Sequence, residues 1–246
     1  MKNLIIALVI GLLPLSVNAA GGGMENMKVD IDLENKSSLQ RGARLFTNYC
    51  LSCHSANYMR YNRMAIDLGL TDKQVEDNLM FASDKVGETM TVAMTKEDGK
   101  AWFGTKVPDL TVITRSRGSD WLYTYMMTFY ADESRPYGVN NARFPSVGMP
   151  HVLWELEGLK KPIYETHTDH AGHEVKTLSG YEMVVPGKMT AVEYDNAMKD
   201  LVNFMTYMGE PMKLERQRWG VLTMIFLVLL FIVAYALKKE YWRDIH

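Results

Sequence analysis

The chain has 246 residues, 27 basic and 29 acidic side chains, a formal net charge of −2 and 47% hydrophobic residues. That length allows one folded domain of ordinary size plus targeting and membrane segments, and the faintly acidic balance disfavours nucleic acid as a partner. The two cysteines, Cys50 and Cys53, stand three positions apart, so they neither staple distant segments nor supply a Cys-rich zinc site.

Residues 1–20 read as a secretory signal: Lys2 gives a positive start, Leu4 to Leu15 an apolar core, and Val17-Asn18-Ala19 a small-residue cleavage pattern. The alternative, an N-terminal membrane anchor, needs about 20 apolar residues, and this core is shorter. Ser37-Ser38-Leu39-Gln40 has the form of a capping box and predicts a helix starting near Leu39. Leu39, Gly42, Ala43, Phe46 and Cys50 then recur at helical spacing, so the last turn of this helix is expected to carry both cysteines. Ser119–Phe129 is a shorter predicted helix rich in aromatics and Met. Ile163–Val185 alternates and turns around Asp169–Gly172, the pattern of a β-hairpin. A long helix is predicted over Ala191–Met208, with Tyr194, Met198, Leu201, Met205 and Met208 in one apolar stripe and Gly209 and Pro211 as stops.

Trp219 to Leu237 carries no charge over 19 positions, which as a helix is about 28 Å, enough to cross a membrane. Its apolar residues leave no polar face, and Trp219, Tyr235, Tyr241 and Trp242 bracket it as interfacial aromatics do. Basic residues flank both ends and give no orientation, whereas an exported amino terminus puts everything before Trp219 outside. The expected organisation is a signal at 1–20, an exported domain at 21–212, and an anchor at 213–246 with its span at 219–237 and a short cytoplasmic tail. Without its ends the exported part has 20 basic and 26 acidic residues. Glu76-Asp77, Glu97-Asp98 and Asp132-Glu133 are candidate docking charges for a basic protein, although solubility also accounts for such a balance.

Cys50-Leu51-Ser52-Cys53-His54 is the attachment signature of a c-type haem. Each thiol adds to one vinyl group of the haem, and the adjacent imidazole reaches the iron. A redox dithiol or half a zinc site uses the same spacing. A haem that only transfers electrons needs a second axial ligand, and Met is the usual one. Among the 18 methionines, Met149 stands apart in Phe144-Pro145-Ser146-Val147-Gly148-Met149-Pro150, a non-helical segment stiffened by two prolines. His151 is its rival. His167, His170 and His173 form an H-x-x-H-x-x-H run that would bind metal only on a helix, and their neighbours read as a turn.

Taken together, Arg41-Gly42, Phe46, the C-x-x-C-H run, Tyr58-x-x-Tyr61-x-Arg63, Pro108-Asp109-Leu110, Arg115-x-Arg117, Gly148-Met149 and Glu210-Pro211 before a C-terminal anchor resemble the cytochrome c1 family. These proteins are the haem subunit of ubiquinol:cytochrome c oxidoreductase, the cytochrome bc1 complex. The resemblance implies a mainly α c-type cytochrome haem domain with a small β-hairpin and one C-terminal transmembrane helix. It implies one covalently attached haem c, with Cys50 and Cys53 forming the thioethers, His54 the proximal ligand and Met149 the distal one. Arg117 matches the family arginine that pairs with a haem propionate, Trp121 falls where a tyrosine is usual, and Pro108 falls beside the haem. The implied partners are cytochrome b, a Rieske iron-sulfur protein and a cytochrome c acceptor, within a dimeric complex of the bacterial inner membrane with the haem domain on the periplasmic side. The implied role is electron transfer without acid, base or nucleophile chemistry of its own. Pro150-His151 replaces the Ala-Pro-Pro that often follows the ligand, and Val107-Pro108 replaces a double proline. The competing readings are a stand-alone anchored cytochrome, the haem subunit of a terminal oxidase or nitric oxide reductase, and a peroxidase or ligand sensor with an open iron site.

Overall fold

The computed structural model describes residues 24–168 and 174–245. The signal at 1–20, the turn Asp169–Gly172, and His170 and His173 lie outside the described residues.

Helix α1 (Lys36–Leu45) starts three residues ahead of the predicted position, because Asn35 is the cap: its side-chain oxygen accepts from the Ser38 N–H at 3.1 Å. The helix then widens into a single π turn, Phe46–Cys50. The N–H groups of Cys53 and His54 both donate to the Cys50 carbonyl, at 3.1 and 2.9 Å, and close a tight turn. Only Cys50 is therefore helical, and Cys53 sits in the turn beyond, contrary to the expectation that one helical turn carries both.

Next, β1 (Ala56–Arg60) pairs antiparallel with β2 (Thr89–Met90), and α2 (Tyr61–Leu68) and α3 (Asp72–Asn78) fill the connection. Helix α4 (Lys96–Phe103) leads to α5 (Ile113–Arg117) and α6 (Ser119–Met127). The predicted helix at Ser119 ends two residues early, since Phe129 already opens β3 (Phe129–Ala131), which pairs with β4 (Val139–Asn141). After the short α7 (Trp154–Glu157) comes the hairpin of β5 (Gly158–Thr168) and β6 (Glu174–Pro186). It extends beyond the predicted Ile163–Val185 at both ends and is rooted in the core by Lys160, 8% exposed. His167 lies in β5, extended rather than helical.

Helix α8 (Ala191–Gly209) opens on a capping box in which Thr190 N–H donates to the Glu193 carboxylate and Glu193 N–H donates to the Thr190 hydroxyl. All five residues of its predicted apolar stripe are buried. It crosses α1, where the Phe46 and Phe204 rings stand 5.7 Å apart and Arg41 holds Asp200 with two hydrogen bonds of 2.6 and 2.9 Å. The main hydrophobic core gathers around this crossing, from Leu39 and Phe46 to Leu201 and Met205.

After three residues the chain continues as α9 (Lys213–Tyr241), 29 residues and about 43 Å long. The predicted span lies inside it. No side chain of this helix is buried in the described structure, and it is long and apolar enough to cross a membrane. Lys213 N–H donates to the Glu210 carbonyl at 3.1 Å, and Arg216 pairs with the Glu210 carboxylate at 2.5 Å, so the link between α8 and α9 is itself ordered by local bonds. At the other end of the chain, Met27 and Val29 donate backbone N–H groups to Thr124 and Asp120, which lashes the N-terminal segment to α6.

Candidate functional site

The C-x-x-C-H turn faces a cleft whose other walls are the 103–126 stretch and the Pro-rich loop at 144–150. The cleft has two adjoining lobes of about 310 and 70 Å³, which share His54, Thr105, Pro108, Gly148 and Met149. The larger lobe adds Cys50, Arg117, Trp121 and Tyr125, and the smaller adds Cys53. All seven residues expected at the site from sequence thus line one cleft, although they come from segments about 100 positions apart.

His54 is held by the backbone. Its Nδ1 lies 2.8 Å from the Pro108 carbonyl, which can only accept, so Nδ1 carries the proton and Nε2 presents a lone pair. The same segment is zipped to the motif by Leu110 N–H donating to the Ser55 carbonyl and Asn57 N–H donating to Asp109. Burial pushes the imidazole below the ordinary histidine value, against the Pro108 bond, which raises it. A neutral imidazole with a fixed tautomer is the form that binds a metal. Burial, with the adjacent Cys53, pushes the Cys50 thiol up to about 12. Neither thiol has a further His, Cys, Asp or Glu grouped with it to complete a metal site among the described residues.

Met149 is placed by a loop tied down at several points. Asn141, fully buried, accepts from the N–H groups of Arg143 and Phe144 at 2.9 and 3.0 Å and donates to the Tyr125 carbonyl at 2.7 Å. Asn140 accepts from the Ser146 N–H at 2.9 Å and fixes that residue in a left-handed conformation with φ 63. At Gly148 a Cβ would stand 3.2 Å from the Phe103 carbonyl oxygen, so glycine lets the loop close on α4. The Tyr125 hydroxyl then donates to the Met149 sulfur at 3.4 Å. Burial pushes the Tyr125 phenol well above the ordinary tyrosine range, so it remains a donor.

Trp121 and Tyr125 are one turn apart on α6, and Arg117 at the end of α5 lies beside them across Gly118. The Trp121 and Tyr125 rings stack at 5.2 Å, and the guanidinium of Arg117 lies 5.2 Å from the indole centroid. Arg117 is exposed at the rim, and its planar fork suits a carboxylate. His151, the rival ligand, does not line the cleft. Its ring stacks on Phe129 at 4.9 Å and its Nε2 lies 2.9 Å from the Glu157 carboxylate. Glu157 also pairs with buried Lys160, so this histidine sits in a separate charged pocket away from the cleft. Among the described residues no group of three or more His, Cys, Asp or Glu is placed to hold a metal ion.

Sequence reasoning missed Tyr125, Asn140 and Asn141. The i, i+4 spacing of Trp121 and Tyr125 puts both on one face of α6 and was the available signal for Tyr125. The asparagines gave none. The residues present fit a covalently held haem: paired thiols, a neutral imidazole and a thioether on the shared wall, apolar surroundings, and a cation at the rim.

Comparison with known proteins agrees. Residues 31–245 match the description "Cytochrome C1 family". The chain is 48% identical to cytochrome c1 of Allochromatium vinosum over the full length of both. It is 44% identical to a Nitrosomonas europaea protein named ammonia monooxygenase gamma subunit, over 98% of this chain and 97% of that one. To the mitochondrial cytochrome c1 heme protein of Saccharomyces cerevisiae it is 24% identical, over 85% of this chain and 67% of that one. The cleft and these likenesses lead to one assignment: the chain belongs to the cytochrome c1 family, electron-transport subunits that carry a covalently bound haem c.

Proposed function

We propose that this chain relays single electrons from a Rieske iron-sulfur protein to a cytochrome c, as a subunit of a ubiquinol:cytochrome c oxidoreductase. Cytochrome b is the remaining partner, within a dimeric complex. In this reading residues 1–20 are a signal, 21–212 form the periplasmic domain and 213–246 the anchor in the bacterial inner membrane. When bound, the haem supplies a one-electron ferric/ferrous couple. Cys50 and Cys53 hold it by thioether bonds, His54 and Met149 offer nitrogen and sulfur from the shared wall of the cleft, and Arg117 offers its fork to a propionate, with Trp121 and Pro108 packing beside the ring. The observation that carries the reading is that His54 and Met149, 95 positions apart, line both lobes beside the cysteine pair. Were His54 and Met149 both to bind the iron, no open position would remain for peroxidase or gas-sensor chemistry.

The acidic surface assists the acceptor's approach, but not with every charge that the sequence offered. Asp98 is committed to capping α4 through Thr95, and Asp132 accepts from Ser134 and Asn140. Asp77 pairs with Lys73 at 3.0 Å, and Glu76, Glu97 and Glu133 remain exposed. Steering of this kind makes the rate of reduction of a basic cytochrome c fall as ionic strength rises.

The relative named ammonia monooxygenase gamma subunit carries a second reading, in which the same haem domain serves another membrane assembly. Solubilisation in mild detergent and affinity capture of the full chain decides between them. A b-type haem protein and a Rieske protein in stoichiometric amount support the bc1 reading, and their absence beside an ammonia-oxidising assembly supports the other.

A further inference from the structure

The hydrogen bond from Tyr125 to Met149 is not a consequence of packing alone. Tyr125 is 7% exposed, with its ring clamped between the stacked Trp121 and an edge-on Phe129 at 5.1 Å. Its hydroxyl lies 3.4 Å from the Met149 sulfur, within hydrogen-bond reach. The helix end that carries Tyr125 and the loop that carries Met149 share one buried anchor: Asn141 donates to the Tyr125 carbonyl and accepts from the N–H groups at the start of the loop. Donor and acceptor are therefore held in register by the same side chain, 24 positions apart in sequence.

A thioether sulfur has two lone pairs. One is available to a metal, and an O–H donated to the other draws electron density from the sulfur and makes it a weaker donor. A weaker donor favours the metal's lower charge. We propose that Tyr125 is a positioning residue for Met149, whose hydroxyl aims the thioether into the cleft, draws on its free lone pair and so raises the reduction potential of the bound haem. This rests on the reading of Met149 as a ligand. The electron enters and leaves as before, with no bond made or broken at Tyr125.

The test uses the full-length haem-loaded protein with Tyr125→Phe, which keeps the ring and removes the hydroxyl. Tyr123→Phe serves as the control: Tyr123 is on the same helix, but its hydroxyl bonds Asp195. At a fixed ambient potential near the parent midpoint, Tyr125→Phe is expected to raise the oxidised-to-reduced ratio roughly two- to tenfold, the range set by one neutral hydrogen bond, while the weak red band of thioether ligation stays. Tyr123→Phe is expected to leave the ratio unchanged. A Tyr125→Phe protein with the red band and an unshifted ratio overturns the inference and leaves Met149 as ligand. Absence of that band in the parent protein overturns the ligand reading and the inference with it. An equal shift in both variants also overturns it, since the effect would then not be specific to the sulfur bond.

Discussion

Gly42 of α1 lies so close to Asp200 of α8 that a Cβ built on it would stand 2.1 Å from the Asp200 carbonyl oxygen. The neighbouring Arg41 binds the carboxylate of that same Asp200, so the two helices are drawn together by charge at the point where only glycine permits contact. Because the clashing atom is backbone, the crossing has to open to admit a side chain. Gly42→Ala is expected to cost about 1–3 kcal/mol and to lower the thermal midpoint by roughly 5 °C. Scanning calorimetry of the purified protein measures it, and an unchanged midpoint would show that the crossing has slack.

Met149→Ala removes the thioether and leaves the rest of the cleft wall. The expected protein loses the red absorption band, titrates at lower potential and, once reduced, binds carbon monoxide within mixing time. A variant with the parent spectrum would show that another side chain serves as sixth ligand.

Asn141→Ala strips the bonds that hold the loop start and the Tyr125 carbonyl. Leaving buried backbone groups unpaired costs roughly 1–3 kcal/mol, and the loop's grip on Met149 loosens with it. Denaturant unfolding reads the first effect and a partial loss of the red band the second. Retention of the full band would mean that Asn140 and the prolines suffice.

Asp120 gives a pH dependence with a definite sign. The hydrogen bond from Lys28, then that from the Val29 N–H, holds its carboxyl below the usual carboxylate range. A folded value below the unfolded one, about 3.9, means that the contribution is fully present above about pH 4 and is lost as pH falls through the folded value. Amide exchange at Val29 is expected to quicken relative to the core on acidification below pH 4, and in Asp120→Asn that dependence should vanish. Equal slopes in both proteins would contradict it.

Much of this was legible because it is local. The cysteine pair and histidine are contiguous, and α8 and α9 announce themselves through a stripe of five residues and an uncharged run. Even so, Asn35 rather than Ser37 caps α1, since either oxygen can satisfy the first turn and only the path of the preceding chain chooses. The strands β2, β3 and β4, of two or three residues each, are too short for any alternation to register. Their worth is positional: β4 brings Asn140 and Asn141 under the loop. Nothing in two adjacent asparagines tells a reader of the sequence that they will hold a methionine eight residues on.

Only Glu210, Pro211 and Met212 separate α8 from α9, and four steps of extended chain reach at most about 14 Å. Arg63 also touches Met212, its Nη2 3.1 Å from the sulfur. A leash so short, with Met212 held at its far end by Arg63, allows α8 and α9 little separation. The cleft is therefore carried within a short reach of the head of α9, wherever that helix is seated.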